Sequence, residues 1–213
     1  MELLTAFIDL LLHLDAHLMI LVQHYGAWVY GILFLIIFAE TGLVFAPFLP
    51  GDSLLFVAGA LCGLGALRLE WLMPCLMLAA VSGDNTNYWV GRLIGMRLFH
   101  RVKGRFIKRE HLDRTHAFYE KHGGKTIVIA RFMPIIRTFA PFVAGIGMMR
   151  YRMFVLYSVL GSIAWIASLT VTGYLFGNIP LIKNNLTLII LAVILLSFLP
   201  ALFGYLRHRM RAA

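Results

Sequence analysis

Apolar residues run along this chain in long blocks, and short polar or Pro- and Gly-containing stretches break them. In residues 1–23, Leu and Ile recur at helical spacing while Asp9, His13 and Asp15 are polar. That pattern predicts a helix lying in the membrane interface. Tyr25 to Phe45 is a mainly apolar run with Tyr25, Trp28 and Tyr30 at one end, as expected of a span with an interfacial aromatic anchor. The uncharged run from Ser53 to Leu67 falls short of the roughly 20 residues needed to cross a bilayer. Pro47, Pro50 and Gly51 break its start. Residues 46–67 therefore read as a re-entrant hairpin, whose non-helical tip must be shielded from lipid. Trp71 to Phe99 is the next crossing, interrupted by the polar patch Ser82-Gly83-Asp84-Asn85-Thr86-Asn87-Tyr88. Residues 126–149 form a second broken segment, with Arg131, Pro134, Arg137 and Pro141 among apolar neighbours. Two spans follow, from Met153 to about Gly177 and from Asn184 to Leu206.

Composition and charge agree with this reading. The chain is 61% hydrophobic and only 14% charged, whereas a soluble domain is near half apolar and about a quarter charged. The net charge of +9 is concentrated between Arg101 and Lys125 and in Arg207, Arg209 and Arg211. Basic residues flanking spans mark the cytoplasmic side, so the central loop and the C-terminus are expected in the cytoplasm. The same placement argues against nucleic-acid binding. Met1-Glu2-Leu3-Leu4 lacks the basic start of a signal peptide. Cys62 and Cys75 lie in apolar stretches, where a buried inert thiol is the plain reading.

Parity orients the second broken segment. The basic loop precedes it, and Arg150 and Arg152 follow it. Re-entry keeps both flanks cytoplasmic, and the two later spans return the C-terminal arginines to that side. There is also an internal repeat. Phe45-Ala46-Pro47-Phe48 recurs as Phe139-Ala140-Pro141-Phe142, and Val57-Ala58-Gly59 recurs as Val143-Ala144-Gly145. Two broken segments of opposite orientation are the mark of an inverted-repeat transporter, with its site where they meet near mid-membrane. The predicted fold is thus an all-α integral membrane protein, one membrane domain over residues 1–213. It is an inverted repeat with two re-entrant hairpins, about four full transmembrane helices and the N-terminal interfacial helix. The first repeat spans residues 25–99, the basic loop 100–125, the second repeat 126–178 and the C-terminal helix 184–206.

The charges inside these segments carry the candidate chemistry. Glu40 lies in the first span, Asp52 at the tip of the first hairpin, Asp84 in the polar patch, and Arg131 and Arg137 in the second hairpin. Each costs about 2.5–3.5 kcal/mol at the centre of a lone helix. They must therefore face one another, water or a ligand. One reading is structural: the charges pair and lock the repeats, although apolar packing does that job as well. The functional reading gives Arg131 and Arg137 a phosphate or similar anion, because the guanidinium fork matches it bidentately. A carboxyl group withdrawn from water can bind and release a proton, so Glu40 and Asp52 are candidate proton carriers. Asp84, Asn87 and Tyr88 are the supporting polar patch. Pro50, Gly51, Pro134, Pro141 and Gly145 are expected to shape the hairpins.

Enzyme readings find no support. The eight histidines all fall in terminal or loop segments, and there is no Gly-x-Ser-x-Gly elbow, His-Glu-x-x-His pair or phosphate-binding nucleotide loop. His13 with His17, and His111 with Asp113 and His116, read as solvated polar faces, so neither a metal nor any other cofactor is expected. Uphill transport would then draw on an ion gradient.

Particular stretches resemble a known family. They are Phe38-Ala39-Glu40-Thr41-Gly42, Phe48-Leu49-Pro50-Gly51-Asp52-Ser53, Gly83-Asp84-Asn85-Thr86-Asn87-Tyr88 with Gly91-Arg92, and Ala130-Arg131-Phe132-Met133-Pro134 through Arg137 to Gly145. The chain resembles the DedA family of bacterial inner-membrane proteins, also called the SNARE-associated or VTT-domain family. The resemblance implies a role in envelope integrity, dependence on the proton motive force and recycling of undecaprenyl phosphate. Distant eukaryotic relatives scramble phospholipids. The family's essential acidic pair matches Glu40 and Asp52, and its essential arginine pair matches Arg131 and Arg137. The resulting expectation is a proton-coupled translocase of undecaprenyl phosphate or a related anionic lipid in the inner membrane. Its expected partners are that lipid, protons and bulk membrane lipids, with a homo-oligomer left open. A gradient-independent scramblase, a non-transporting membrane-protein folding factor and a small-cation or drug exporter are the alternatives.

Overall fold

The computed structural model describes residues 14–43, 51–101, 124–176 and 179. Residues 1–13, the 44–50 tip with Pro50, most of the basic loop and the 184–206 span lie outside the described residues. Within them the chain is helical throughout, without a strand. The helices are α1 (Leu14–Tyr25), α2 (Trp28–Gly42), α3 (Gly51–Gly63), α4 (Leu69–Arg101), α5 (124–130), α6 (Pro134–Ile146) and α7 (Tyr151–Phe176).

The breaks follow local chemistry. Gly26, with φ +51°, turns the chain between α1 and α2, a left-handed conformation that glycine adopts without strain. The expected Tyr25–Phe45 span therefore starts at Trp28. Asp52 falls in the first turn of α3, where the helix dipole favours an acid. Pro134 opens α6, a position where its missing N–H is not needed. Helices α3 and α6 have 13 residues each, about 20 Å at 1.5 Å per residue, which is short of the roughly 30 Å hydrocarbon core. One described helix, α7 with 26 residues, is long and apolar enough to cross a membrane by length and composition.

Two of the expected hairpin-shaping residues lie inside a helix. Pro141 stands inside α6 instead of at a turn, where it withdraws the N–H that would bond to the carbonyl of Arg137. Gly145 also lies within α6, and its role is close approach to another helix.

The chain divides into two compact units, and three of the four divisions fall within α2, α4 and α7. In the first unit (residues 1–34, 50–76 and 166–213), α3 is buried almost all round. Leu54, Leu55, Phe56, Val57, Ala58, Ala60 and Leu61 are all inside, as expected of a helix apolar on every face. Helix α1 packs against α3. Helices α3 and α7 cross at two glycines: a Cβ on Gly59 would run into the backbone of Thr170, and one on Gly173 into the backbone of Phe56. The Tyr30 hydroxyl accepts a hydrogen bond from the Arg68 N–H at 2.8 Å, which ties α2 to the α3–α4 connection.

The second unit (residues 35–49 and 77–165) contains a crossing of the same form. A Cβ on Gly91 of α4 would meet the backbone of Phe142 of α6, and one on Gly145 would meet the backbone of Tyr88. The local sequence repeats with the geometry: Phe56-Val57-Ala58-Gly59 and Phe142-Val143-Ala144-Gly145 are identical. In both, the Phe carbonyl faces the partner helix's glycine and the Gly receives the partner's carbonyl. Around the second crossing, Tyr88, Ile127, Ala130, Ala140, Ala144, Met149 and Phe154 form one apolar cluster. Tyr88 stacks on Phe154 with ring centroids 4.4 Å apart.

Candidate anion and proton site

The second unit also buries four charges. Glu40, Asp84, Arg131 and Arg137 are 0%, 2%, 3% and 6% exposed, so water solvates none of them and each must be satisfied within the protein. Glu40 sits near the C-terminal end of α2, and Asp84 lies midway along α4. Arg131 occupies the break between α5 and α6, and Arg137 lies in the first turns of α6.

The charges resolve into two ion pairs. Arg131 Nη2 donates to Asp84 Oδ2, and Arg137 Nη2 donates to Glu40 Oε1. Ser158 Oγ also donates to Asp84 Oδ2 at 2.5 Å. The Trp165 ring receives both cations: Arg137 Cζ is 4.6 Å and Arg131 Cζ 5.7 Å from its centroid. A desolvated guanidinium over an indole face gains on the order of 2 kcal/mol. Two positive and two negative charges make the quartet neutral, which is how charges persist where no water reaches.

Backbone contacts hold the quartet's supports in place. Asn87 Nδ2 donates to the Thr41 carbonyl at 3.2 Å and to the Thr138 carbonyl at 2.6 Å. It thereby joins the end of α2, carrying Glu40, to the start of α6, carrying Arg137. Beside it, a Cβ on Gly83 would collide with Thr41 Oγ1, so glycine there lets α2 and α4 approach. Tyr88 OH donates to the Met149 carbonyl at 2.5 Å and pins the turn after α6.

The expected residues are therefore partly regrouped. Glu40, Arg131 and Arg137 come together, joined by Asp84, which moves from a supporting patch into a direct ion pair. Asn87 and Tyr88 brace the same unit. Asp52 belongs to the first unit, at the start of α3. Ser158 and Trp165 are new members. With Ser162 they are spaced i, i+4 and i+7 on α7, a stripe on one helical face that marks them within an otherwise apolar span. Among the described residues no group of His, Cys, Asp and Glu could hold a metal ion.

The chemistry available here is exchange of anions on a guanidinium. Among the described residues, Arg131 Nε makes no hydrogen bond and Nη2 meets a single carboxylate oxygen. Half of the fork that grips a carboxylate or phosphate bidentately is thus unused. Asn87 Oδ1 is likewise buried without a hydrogen bond among the described residues.

Helices throughout the described residues, buried paired charges and one long apolar helix are consistent with a membrane protein, and comparison with known proteins says which kind. The family described as VTT domain matches residues 49–175. The chain is 53% identical to Protein DedA of Escherichia coli K12, over 100% of this chain and 98% of that protein. It is 45% identical to an uncharacterized membrane protein of Mycobacterium tuberculosis strain H37Rv, over 86% of this chain and 81% of its relative. It is 30% identical to the inner membrane protein YqjA of Escherichia coli K12, over 96% of this chain and 92% of that one. No solved structure matches it. The chain belongs to the DedA family of VTT-domain membrane proteins.

Proposed function

We propose that this chain is a proton-coupled translocase of an anionic, phosphate-bearing lipid in the bacterial inner membrane, with undecaprenyl phosphate as the leading cargo. The observation that carries this reading is the neutral, buried quartet of Glu40, Asp84, Arg131 and Arg137. A phosphate added to a neutral quartet brings uncompensated negative charge into a dry site. A proton delivered to Glu40 or Asp84 removes that excess and releases the paired arginine. Phosphate then replaces the carboxylate on the guanidinium, and loss of the proton reverses the exchange. Anion binding and protonation are linked because carboxylate and phosphate compete for the same arginine, and the proton withdraws the carboxylate from that competition. Asp52, at the start of α3, is a second candidate proton carrier, and alternating motion of the two repeats would carry the site between membrane faces. The basic flanks support a cytoplasmic placement of the basic loop and C-terminus, and the name of the relative YqjA, an inner membrane protein, supports the inner membrane as location.

The test is a flipping assay with purified protein in liposomes, offered undecaprenyl phosphate, phosphatidylethanolamine or phosphatidylglycerol with and without a pH gradient. Undecaprenyl phosphate should move fastest, and the gradient should drive it. Arg137→Lys should slow transport sharply, because lysine keeps the charge and loses the fork. Transport indifferent to the gradient would replace this reading with a passive scramblase. Transport unaffected by Arg137→Lys would remove the bidentate phosphate.

A further inference from the structure

A third arginine in the second unit is held in a different way. Arg92 of α4 lies about 12 Å further along the helix axis than Asp84, at 1.5 Å per residue, toward the end that leads into the basic loop. Its Nη1 donates to Tyr88 OH at 2.6 Å. Its Cζ lies 5.9 Å from the Tyr88 ring centroid and 5.7 Å from that of Trp89. Tyr88 is itself fully buried and bonded to the Met149 carbonyl. The guanidinium is therefore oriented on a rigid base. Unlike Arg131 and Arg137, it has no carboxylate partner among the described residues, and its remaining N–H groups make no hydrogen bond there.

Its surroundings resemble a membrane–water boundary. Trp89, Val90, Leu93 and Ile94 beside it are exposed apolar residues. Tyr151 is 40% exposed and packs on Trp89 with centroids 5.5 Å apart, and its hydroxyl donates to Asn85 Oδ1 at 2.9 Å. Exposed Arg150 stands in the chain between Met149 and Tyr151, the two residues that touch this face. A Trp–Tyr pair is the usual anchor at headgroup level.

We infer that Arg92, with exposed Arg150 of the turn that follows α6, forms a second phosphate site on the outer surface of the second unit, which holds the headgroup of an anionic lipid before it reaches the buried quartet. A phosphate monoester fits best, because its charge and its oxygens match the open fork of a fixed guanidinium. This inference rests on the reading of a phosphate-bearing lipid cargo, yet it can fail separately.

The test uses full-length protein in phosphatidylcholine nanodiscs, doped with brominated phosphatidic acid or brominated phosphatidylcholine. Tryptophan quenching is measured in the wild type and in Trp89→Phe, and the difference reports contact at Trp89. Brominated phosphatidic acid should quench saturably and at lower mole fraction than brominated phosphatidylcholine. Arg92→Gln should weaken it roughly tenfold or more, the loss of one charge-assisted hydrogen bond. Arg92→Lys should fall between, and exposed Arg150→Gln, which removes no internal contact, should weaken it by a smaller factor. Added inorganic phosphate separates the sources: relief of quenching means the phosphate group alone is held, and no relief means the acyl chains contribute. Equal quenching by the two lipids, or quenching unchanged in both Arg92→Gln and Arg150→Gln, overturns the site. If Trp89 contact depends on Arg92 while no lipid is flipped, the site stands and the translocase reading falls. If flipping proceeds while Trp89 contact ignores Arg92, the reverse holds.

Discussion

The two units share a helix crossing and differ in what they bury around it. Phe56-Val57-Ala58-Gly59 against Gly173, and Phe142-Val143-Ala144-Gly145 against Gly91, each bring two backbones into contact through a pair of glycines. Around the first crossing, the buried polar side chains on the crossing helices are the hydroxyls of Ser53 and Thr170. Around the second lie four charges, a bridging asparagine and a tryptophan. The partner helices show the source of the difference. If α4 and α7 are aligned on Gly91 and Gly173, Asp84 corresponds to Ile166 and Asn87 to Leu169. One crossing framework thus carries a plain apolar core in one unit and an electrostatic device in the other. The lesson is that the glycines supply geometry, and the residues a turn or two away decide what the geometry is for.

The largest effects should come from the charges. Glu40→Gln or Arg137→Gln leaves its partner buried and uncompensated, which costs about 3–5 kcal/mol. The double replacement Glu40→Gln with Arg137→Gln should cost less than the two singles summed, as a double-mutant cycle in detergent unfolding would reveal. Additive losses would mean the pair does not act as a unit. In the first unit no replacement among the apolar residues of α3 or α7 should show coupling of this kind.

Next come the glycines, where the two units should behave alike. Gly59→Ala and Gly145→Ala each force a Cβ against backbone, which cannot move aside as a flexible side chain would, at a cost of about 1–3 kcal/mol or more. Comparable losses in thermal unfolding would show that the two crossings are energetically equivalent. A tolerated Gly59→Ala beside a damaging Gly145→Ala would show that only the second is tightly closed.

The smallest pair of effects separates the units again. Ser158→Ala removes a hydrogen bond to the Asp84 carboxylate and should cost about 1.5–3 kcal/mol. Ser53→Ala removes a buried hydroxyl that makes no hydrogen bond among the described residues, so it should be neutral or slightly stabilising. A destabilising Ser53→Ala would show that this hydroxyl has a partner after all.

Much of this was legible from residues alone. A chain with so few charges and such long apolar blocks has to be helical and membrane-embedded, because only satisfied backbones survive in lipid. Charges placed inside those blocks must be partnered, so Glu40, Asp52, Asp84, Arg131 and Arg137 stood out as a set. Proline and glycine marked the breaks near residues 51 and 134.

Only the tertiary structure decided who partners whom. Arg131 reaches Asp84 across 47 positions of chain, and Arg137 reaches Glu40 across 97. The regrouping of Asp84 with the arginines depends on which helices lie side by side. Gly145 and Pro141 carried a broken-segment signal that fitted a turn as well as a helix. Packing resolved it, because glycine permits both positive φ and close approach, and only a neighbouring backbone distinguishes the two. Trp165 read as one more apolar residue on a span until the fold laid two guanidinium groups over its ring. Composition and local pattern thus determined the solvent, the helices and the list of costly residues, while pairing required distances that no local pattern holds.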